Sequence, residues 1–406
     1  METYLVGGCV RDELLGIPGK DRDWVVVGAN PEEMLAAGYK SVGKDFPVFL
    51  HPQSKEEYAL ARTERKTAPG YAGFSFHAEA DVTLEQDLSR RDLTINALAR
   101  DQQGHIIDPH HGQQDLNDRI LRHVSPAFAE DPVRILRIAR FAARFAELGF
   151  TIADETMSLM KDMVASGEVD ALVAERVWQE TERALREAVP ARYFQVLRDC
   201  DALARIFPEL DNLFGVPQPE EHHPEIDTGI HTMMVLEQAA RLSDDTRVRF
   251  AALTHDLGKA TTPKDQWPRH IAHEERGVPL VKELCERLRV PRDYRELAIN
   301  VTRYHLYFHR ADELKASTIL KLIQSLDGFR RPERFEMYLL ACEADSRGRP
   351  GYEDRVLTKP KLLNDAFKAA AAISVKPIVE RGLTGDAIAI ELSQLRIKAI
   401  KRSLAN

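Results

Sequence analysis

Tyr4-Leu5-Val6-Gly7-Gly8-Cys9-Val10-Arg11-Asp12-Glu13-Leu14-Leu15-Gly16-Ile17-Pro18-Gly19-Lys20-Asp21-Arg22-Asp23-Trp24-Val25-Val26-Val27 is the stretch from which the rest of the chain is read. A short apolar run, Tyr4 to Val6, breaks into Gly7-Gly8, and a helical pattern follows through Leu14 and Leu15. Gly16 stands where a helix C′ residue belongs, with Pro18 two residues beyond it. Asp21 and Asp23 then open a second apolar run, Trp24 to Val27, that reads as a strand. Side chains two apart on a strand share a face, so these carboxylates project together. They repel unless a cation lies between them, and Mg²⁺ takes one or two carboxylates together with substrate phosphate oxygens. Gly7 and Gly8 let backbone N–H groups approach an anion just ahead of a helix. A phosphate-binding turn beside a carboxylate pair implies metal-dependent phosphoryl chemistry.

At 406 residues the chain is expected to form two to four domains with sizeable cores. No apolar run has membrane length, and the N-terminus lacks a charged leader followed by an apolar segment, so a cytoplasmic protein is expected. Cys9, Cys200, Cys285 and Cys342 are scattered without Cys-x-x-Cys spacing and predict thiols rather than a disulfide framework or zinc cluster. The net charge of −8 argues against a protein that coats nucleic acid non-specifically, and leaves a local basic groove open.

Strand-like segments concentrate in the first 130 residues. Phe46–His51 and Glu57–Arg62 flank a turn at 52–55 and read as a hairpin, while 63–80, with Pro69, Gly70 and Gly73, reads as a mobile loop. Ile106-Ile107-Asp108 is strand-like, and beyond Asp131 the pattern is almost wholly helical. Residues 215–229 read as a linker, a second shift falls near Arg347–Gly351, and a last helix from about Asp386 is expected to be capped by Thr384.

Three further constellations carry chemistry. Asp92 and Asn96, four apart, would share a helix face and bind one small group such as a ribose hydroxyl. After Asp131, Pro132 fits the first turn of a helix on which Arg134, Arg137 and Arg140 form a basic stripe, extended by Arg144 and suited to triphosphate and RNA backbone. His231 and the string His255-Asp256-Leu257-Gly258-Lys259 offer imidazole and carboxylate ligands for a divalent metal.

The order Gly-Gly-x-Val-Arg-Asp-x-Leu-Leu-Gly and then Asp-x-Asp-Trp resembles the signature of the tRNA CCA-adding enzymes and bacterial poly(A) polymerases, in the nucleotidyltransferase superfamily. Arg90-Arg91-Asp92 with Asn96, and Glu130-Asp131 with Arg134, are similar to further motifs of that family, and His-Asp-Leu-Gly-Lys resembles the HD-domain phosphohydrolases. Asp108-Pro109 with Gly112 and Asp115 is similar to a weaker family element, either a hinge or a plain turn.

The resemblance implies a predominantly helical α+β fold: a small nucleotidyltransferase β-sheet head, a helical neck and body, an HD domain and a helical tail. The expected bounds are 1–140, 141–227, 228–345 and 346–406. It further implies addition of C, C and A to the tRNA 3′ end from CTP and ATP, with release of pyrophosphate. Asp21 and Asp23 would hold Mg²⁺, with Glu57 or Glu64 as a third carboxylate. Gly8, Arg11, Arg91, Asp92, Asn96, Arg137 and Arg140 would bind nucleotide, and Asp131 and Arg134 would read the base edge. An Asp accepts from the exocyclic amine that C and A share.

In the HD domain, His231, His255, Asp256 and Asp345 would hold a divalent transition metal, with nickel, manganese or cobalt as candidates. Which of His270, His273 and His305 serve a second metal or the substrate phosphate stays open. The implied hydrolytic activities are phosphatase, 2′-nucleotidase and 2′,3′-cyclic phosphodiesterase. Expected partners are tRNA, ATP and CTP, with no membrane, and the chain is expected as a monomer or homodimer. The alternative is a poly(A) polymerase, disfavoured by the intact His-Asp set and the acidic balance. A (p)ppGpp synthetase–hydrolase would place its HD domain first, a protein uridylyltransferase would be much longer, and a non-enzymatic RNA-binding role would leave the carboxylates without purpose.

Overall fold

Strand β1 (Glu2–Val6) stops at Gly7, whose φ of 73° disfavours any side chain, and the backbone turns directly into helix α1 (Gly8–Leu14). The helix ends as its sequence predicts. Gly16 takes φ 69°, its N–H donates to the Glu13 carbonyl at 3.0 Å, and the Ile17 N–H donates to Asp12 at 2.8 Å, the paired bonds of a Schellman end. Strand β2 (Asp23–Val27) then returns antiparallel to β1, with Asp23 opposite Val6. The computed structural model describes residues 1–19, 22–42, 48–66, 74–77, 80–221 and 223–405, with side chains left out at 64–66 and 74–77. Asp21 lies outside the described residues, as does the side chain of Glu64.

Helix α2 (Pro31–Ala36) starts on an Asn30–Glu33 capping box, and strands β3 (Lys40–Ser41), β4 (Val48–Leu50) and β5 (Glu57–Leu60) follow. The hairpin expected across 52–55 is present, with Phe49 opposite Tyr58. The stretch 63–80 is more than a loop: β6 (Thr63–Lys66) pairs antiparallel with β7 (Phe74–His77) in a separate ribbon. The alternation Phe74-Ser75-Phe76 was its signal, outweighed by the Pro and Gly between the strands. After helix α3 (Leu84–Ser89), β8 (Ala99–Arg100) and β9 (Ile106–Ile107) complete a seven-stranded sheet of order β3-β4-β5-β2-β1-β8-β9, in which only β2 and β5 run parallel. The period-two pattern sorts its two faces. Val6, Val25 and Ala61 pack with Leu84 and Leu88 on one side, and Val26, Phe49, Tyr58 and Leu60 with Met34 on the other.

Helix α4 (Gly112–Asp118) and the parallel pair β10 (Ile120–Leu121) and β11 (Thr151–Ile152) flank helix α5 (Val133–Arg144). Helices α6 (Asp154–Ala165), α7 (Ala174–Arg186), α8 (Ala191–Asp199) and α9 (Ala202–Ile206) complete the first compact unit, Met1–Ile206.

The second unit, Phe207–Asn406, is helical among its described residues. It runs through α10 (Pro208–Asp211), α11 (Thr228–Leu242), α12 (Thr246–Thr254), α13 (His273–Arg287), α14 (Arg292–His309), α15 (Ala316–Ser325), α16 (Pro332–Arg347), α17 (Lys359–Ala371), α18 (Lys376–Glu380) and α19 (Asp386–Ser403). Residues 215–229, read as a linker, lie inside this unit, where Gly215 N–H donates to Asp227 and Pro217 bridges Asp227. Helix α19 has Gly385 at its cap position and no side-chain cap, so the capping expected of Thr384 is corrected: only its carbonyl engages the helix start. The four cysteines are free thiols, three of them buried. The molecule is thus a predominantly helical α+β protein, with no helix among the described residues long and apolar enough to cross a membrane.

Candidate functional site

In the first unit the register of the sheet brings acidic groups together. Asp23, at the start of β2, lies opposite Val6, one residue before the Gly7–Gly8 turn, and beside Glu57 on parallel β5. Adjacent residues in register share a face, so the carboxylates of Asp23 and Glu57, both exposed, project together. A Cβ on Gly7 would come within 2.9 Å of the Arg91 guanidinium, and one on Gly8 within 3.3 Å of Arg11. Both positions are held open for close approach by cationic side chains.

Four of the other sequence-predicted residues, Arg11, Asp92, Asn96 and Arg137, form one continuous network. Arg11, 3% exposed, donates to Asp12 at 2.8 Å and to Asn96 Oδ1 at 2.5 Å, and its guanidinium lies 5.1 Å from the rings of Phe141 and Phe145. Asn96 donates to Asp92 Oδ1 at 2.9 Å, and Arg137 donates to Asp92 Oδ2 at 2.7 Å. Arg144 closes the circuit by donating to Asp12 at 2.8 Å. Asp92 and Asn96 meet as expected but not on a helix: Leu93 is extended, and residues 94–96 form a single 3₁₀ turn. Burial alone would raise Asp92, yet Arg137 and Asn96 hold its carboxyl well below the usual range. Asp87, wholly buried, is likewise held down against its burial by Arg90 and Arg91.

The arginine stripe on α5 is not an open cationic face. Arg134 donates to the carbonyls of Ala127 and Arg90 at 2.8 and 2.7 Å, Arg137 pairs with Asp92, and Arg140 pairs with Glu180 at 2.7 Å. Asp131, just ahead of the α5 cap, accepts from the Val133 N–H and from both terminal guanidinium nitrogens of Arg176, at 3.3 and 3.0 Å. Pro132 takes the cap position itself rather than the first helical one.

The second unit gathers imidazoles and carboxylates from five helices and the turn after α12, with His273 supplied by α13. His231 lies in α11, whose start is capped by Asp227; His255 ends α12 and Asp256 opens the following turn; His305 lies in α14, and Asp345 in the last turn of α16. Hydrogen bonding fixes the tautomers, because a carbonyl can only accept. His255 donates Nδ1–H to Ala252 at 2.7 Å, His273 to His270 at 2.8 Å, and His305 to Thr302 at 2.9 Å. His231 Nδ1 faces the Gly348 carbonyl at 3.0 Å and Glu225 at 2.8 Å. In their neutral forms all four therefore turn an Nε2 lone pair inward.

Those lone pairs face other acceptors: His231 Nε2 is 3.1 Å from Asp345 Oδ1, His273 Nε2 is 3.1 Å from His305 Nε2, and His255 Nε2 is 3.1 Å from Asp256 Oδ2. His255 Nε2 and Asp256 Oδ1 are buried without a hydrogen-bond partner. Inward lone pairs and orphaned buried acceptors are what a cation would satisfy, so these residues fit a divalent metal. The ligand atoms fall into two close groups, His231–His255–Asp345 and Asp256–His273–His305. His270 stands aside, bonded to Thr262 and the Pro217 carbonyl, both at 2.9 Å.

The carboxylates favour positive charge at the cluster, supplied by a bound cation or by a proton on His255. Burial opposes charging His255, but Asp256 and Asp345 more than offset it and raise its pKa. Burial pushes His305 down to about 3, keeping it neutral and able to ligate. Three contributors escaped the sequence reading. His309 donates to Asp345 Oδ2 at 2.6 Å, Lys259 pairs with Asp256 at 2.6 Å, and Glu225 backs His231. Burial would raise Glu225, yet bonds from His223 and His231 hold it at about 2. A cavity of about 190 Å³, lined by Asp256, His273, His305 and Asp345 among others, opens onto this cluster.

Residues 3–122 match the poly A polymerase head domain, 149–214 the probable RNA and SrmB-binding site of polymerase A, and 228–331 the HD domain. The fold and the two clusters thus define a class, a nucleotidyltransferase head joined to an HD domain. The multifunctional CCA protein of Thioalkalivibrio sulfidiphilus is 65% identical over 402 residues, covering 99% of this chain and 98% of that protein. That of Nitrosococcus oceani is 64% identical over 404 residues, covering 100% and 99%. The chain belongs to the multifunctional CCA protein family. Among solved structures, a CCA-adding enzyme in complex with CTP superposes with a TM-score of 0.65 at 22% identity, covering 98% of this chain and 87% of that one. The Thermotoga maritima CCA-adding enzyme complexed with tRNA superposes at 0.62 and 21% identity, covering 100% and 91%. At that identity the likeness is one of fold.

Proposed function

We propose that the chain adds C, C and A to the 3′ end of tRNA from CTP and ATP in the cytoplasm, and that its HD centre removes 2′,3′-cyclic, 2′ and terminal phosphates from RNA ends. The observation that carries the reading is the placement of Asp23 beside Glu57, one residue from the Gly7–Gly8 turn, in a chain related end to end to multifunctional CCA proteins.

Asp21, Asp23 and Glu57 are the residues that would hold Mg²⁺, Glu57 being preferred to Glu64 because the β2–β5 register sets it next to Asp23. Bound there, Mg²⁺ supplies a lower pKa for the tRNA 3′-hydroxyl and neutralisation of the leaving pyrophosphate. Gly8 admits the triphosphate close to the backbone, and Arg11 and Arg91 flank it. Asp92 and Asn96, immobilised by Arg137 and Arg11, offer a fixed pair to the ribose. Asp131 and Arg134 read the base edge. Arg176 and the carbonyls of Ala127 and Arg90 hold them in place, so a rigid protein surface substitutes for a nucleic-acid template.

In the HD centre, His231, His255, Asp256 and Asp345 would hold a divalent metal such as nickel, manganese or cobalt, and His273 and His305 extend the set toward a second ion. A metal there supplies an activated water for phosphoester hydrolysis. His309 orients Asp345, and Lys259 orients Asp256.

The test is nucleotide choice. Purified protein given tRNA that lacks its three terminal residues takes up two C and then one A and stops. Long A-tails made from ATP alone would instead identify a poly(A) polymerase.

A further inference from the structure

A second cavity of about 190 Å³ shares two lining residues, His309 and Arg349, with the metal-ligand cavity of the HD centre. Its remaining wall is Ser346 at the end of α16, Tyr352, Arg355, Val356, Leu357 and Thr358 from the connection that follows, and Lys359 at the start of α17. Among the described residues no carboxylate lines it, although the whole chain carries 64 Asp and Glu against 56 Lys and Arg. Three cations do: Arg349, Arg355 and Lys359. The Arg349 Nε is buried without a hydrogen-bond partner, and its guanidinium comes only within 4.0 Å of the Asp345 carboxylate. Arg355 makes no ion pair among the described residues, and its guanidinium lies 5.0 Å from the centre of the Tyr352 ring. Lys359 is anchored to the His309 carbonyl, which leaves N–H donors over for a ligand. Val356, 88% exposed, and Leu357 supply an apolar border.

A carboxylate-free pocket with three cations, one aromatic platform and an apolar rim matches one nucleotide of single-stranded RNA: cations for its phosphodiester, the ring for its base. We propose that this cavity is a subsite for the penultimate nucleotide of an RNA substrate, holding the strand while its terminal phosphate lies in the metal-ligand cavity. The inference rests on the phosphohydrolase reading of the HD centre. It gives that centre a substrate class, RNA ends in preference to free nucleotides. His309 and Arg349, shared by both cavities, mark where the phosphodiester between the last two nucleotides passes.

The test compares a 5′-labelled trinucleotide ending in a 2′,3′-cyclic phosphate with a 2′,3′-cyclic mononucleotide, using the full chain loaded with divalent metal. For the trinucleotide, Arg355→Glu and Tyr352→Ala are each expected to lower kcat/KM about 20-fold through KM, and for the mononucleotide about 2-fold at most. Arg355→Lys is expected to recover most of the loss. Fluorescence anisotropy of the same labelled trinucleotide, read without metal, is expected to show binding weakened about 10-fold in the first two variants. A loss shared equally by both substrates, or by neither, overturns the subsite. An unaltered chain that hydrolyses neither substrate overturns the phosphohydrolase reading instead, and the anisotropy series then decides the pocket by itself.

Discussion

Arg140 holds its charge at 8% exposure, paired with Glu180 at 4%, and its guanidinium lies 4.5 Å from the centre of the Phe141 ring. Removing Arg140 leaves the buried Glu180 carboxylate with only the half-exposed Arg183, at 3.2 Å, so Arg140→Ala is expected to lower unfolding stability by about 2 kcal/mol in urea titration. The double change Arg140→Met with Glu180→Leu is expected to recover most of it, because the orphaned charge is then gone as well. A rise in KM for CTP without loss of stability would instead make Arg140 a triphosphate ligand, as the motif resemblance implied. The sequence shows the arginines but not their partners: Glu180 is 40 residues from Arg140, and Asp12 is 132 from Arg144. Helical periodicity reports which residues share a face and carries nothing about what that face meets. Asp23, His255 and Asp256 were legible for the opposite reason, since short strings fix their local geometry. His309 was missed although its signal was available, four residues after His305 on one helix.

The turn after α12 shows why an element needs its glycine. A Cβ on Gly258 would lie 1.9 Å from the His273 carbonyl oxygen and 2.6 Å from the Gly277 nitrogen, both backbone atoms. The turn carrying Asp256 and Lys259 is therefore packed directly against the start of α13, which carries His273. Gly258→Ala must push the two apart, and overpacking of this kind costs about 2–3 kcal/mol. Thermal melting should show the destabilisation, and hydrolysis of a cyclic phosphate should fall at least about 10-fold while nucleotide addition continues. Unchanged hydrolysis would mean that the two elements can separate without disturbing the ligand cluster. At this scale the Schellman end of α1 and the 48–60 hairpin could be read directly, because Gly16 and the turn at 52–55 encode them locally. The β6–β7 ribbon could not, since strand pairing across a Pro- and Gly-bearing connection depends on partners that local pattern does not name. The stretch 215–229 misled for a related reason: its Gly and Pro content suits a linker, yet it supplies Gln218, His223 and Glu225 to the HD centre.

As a whole molecule, the chain holds two chemical centres built by different means, one per compact unit. The first is set by sheet register and a buried arginine–carboxylate network, the second by helices that converge imidazoles on two aspartates. The order of motifs made the number of centres readable. The internal wiring of each, and the subsite beside the second, needed long-range contacts. Two centres in separate compact units should act independently, which one paired measurement can decide. Asp23→Ala and His255→Ala are each assayed, on folded full-length protein, for C and A addition to tRNA and for hydrolysis of a cyclic phosphate. Asp23→Ala is expected to lose at least about 100-fold in addition and keep hydrolysis, and His255→Ala to do the reverse. Loss of both activities together in either folded variant would contradict that independence.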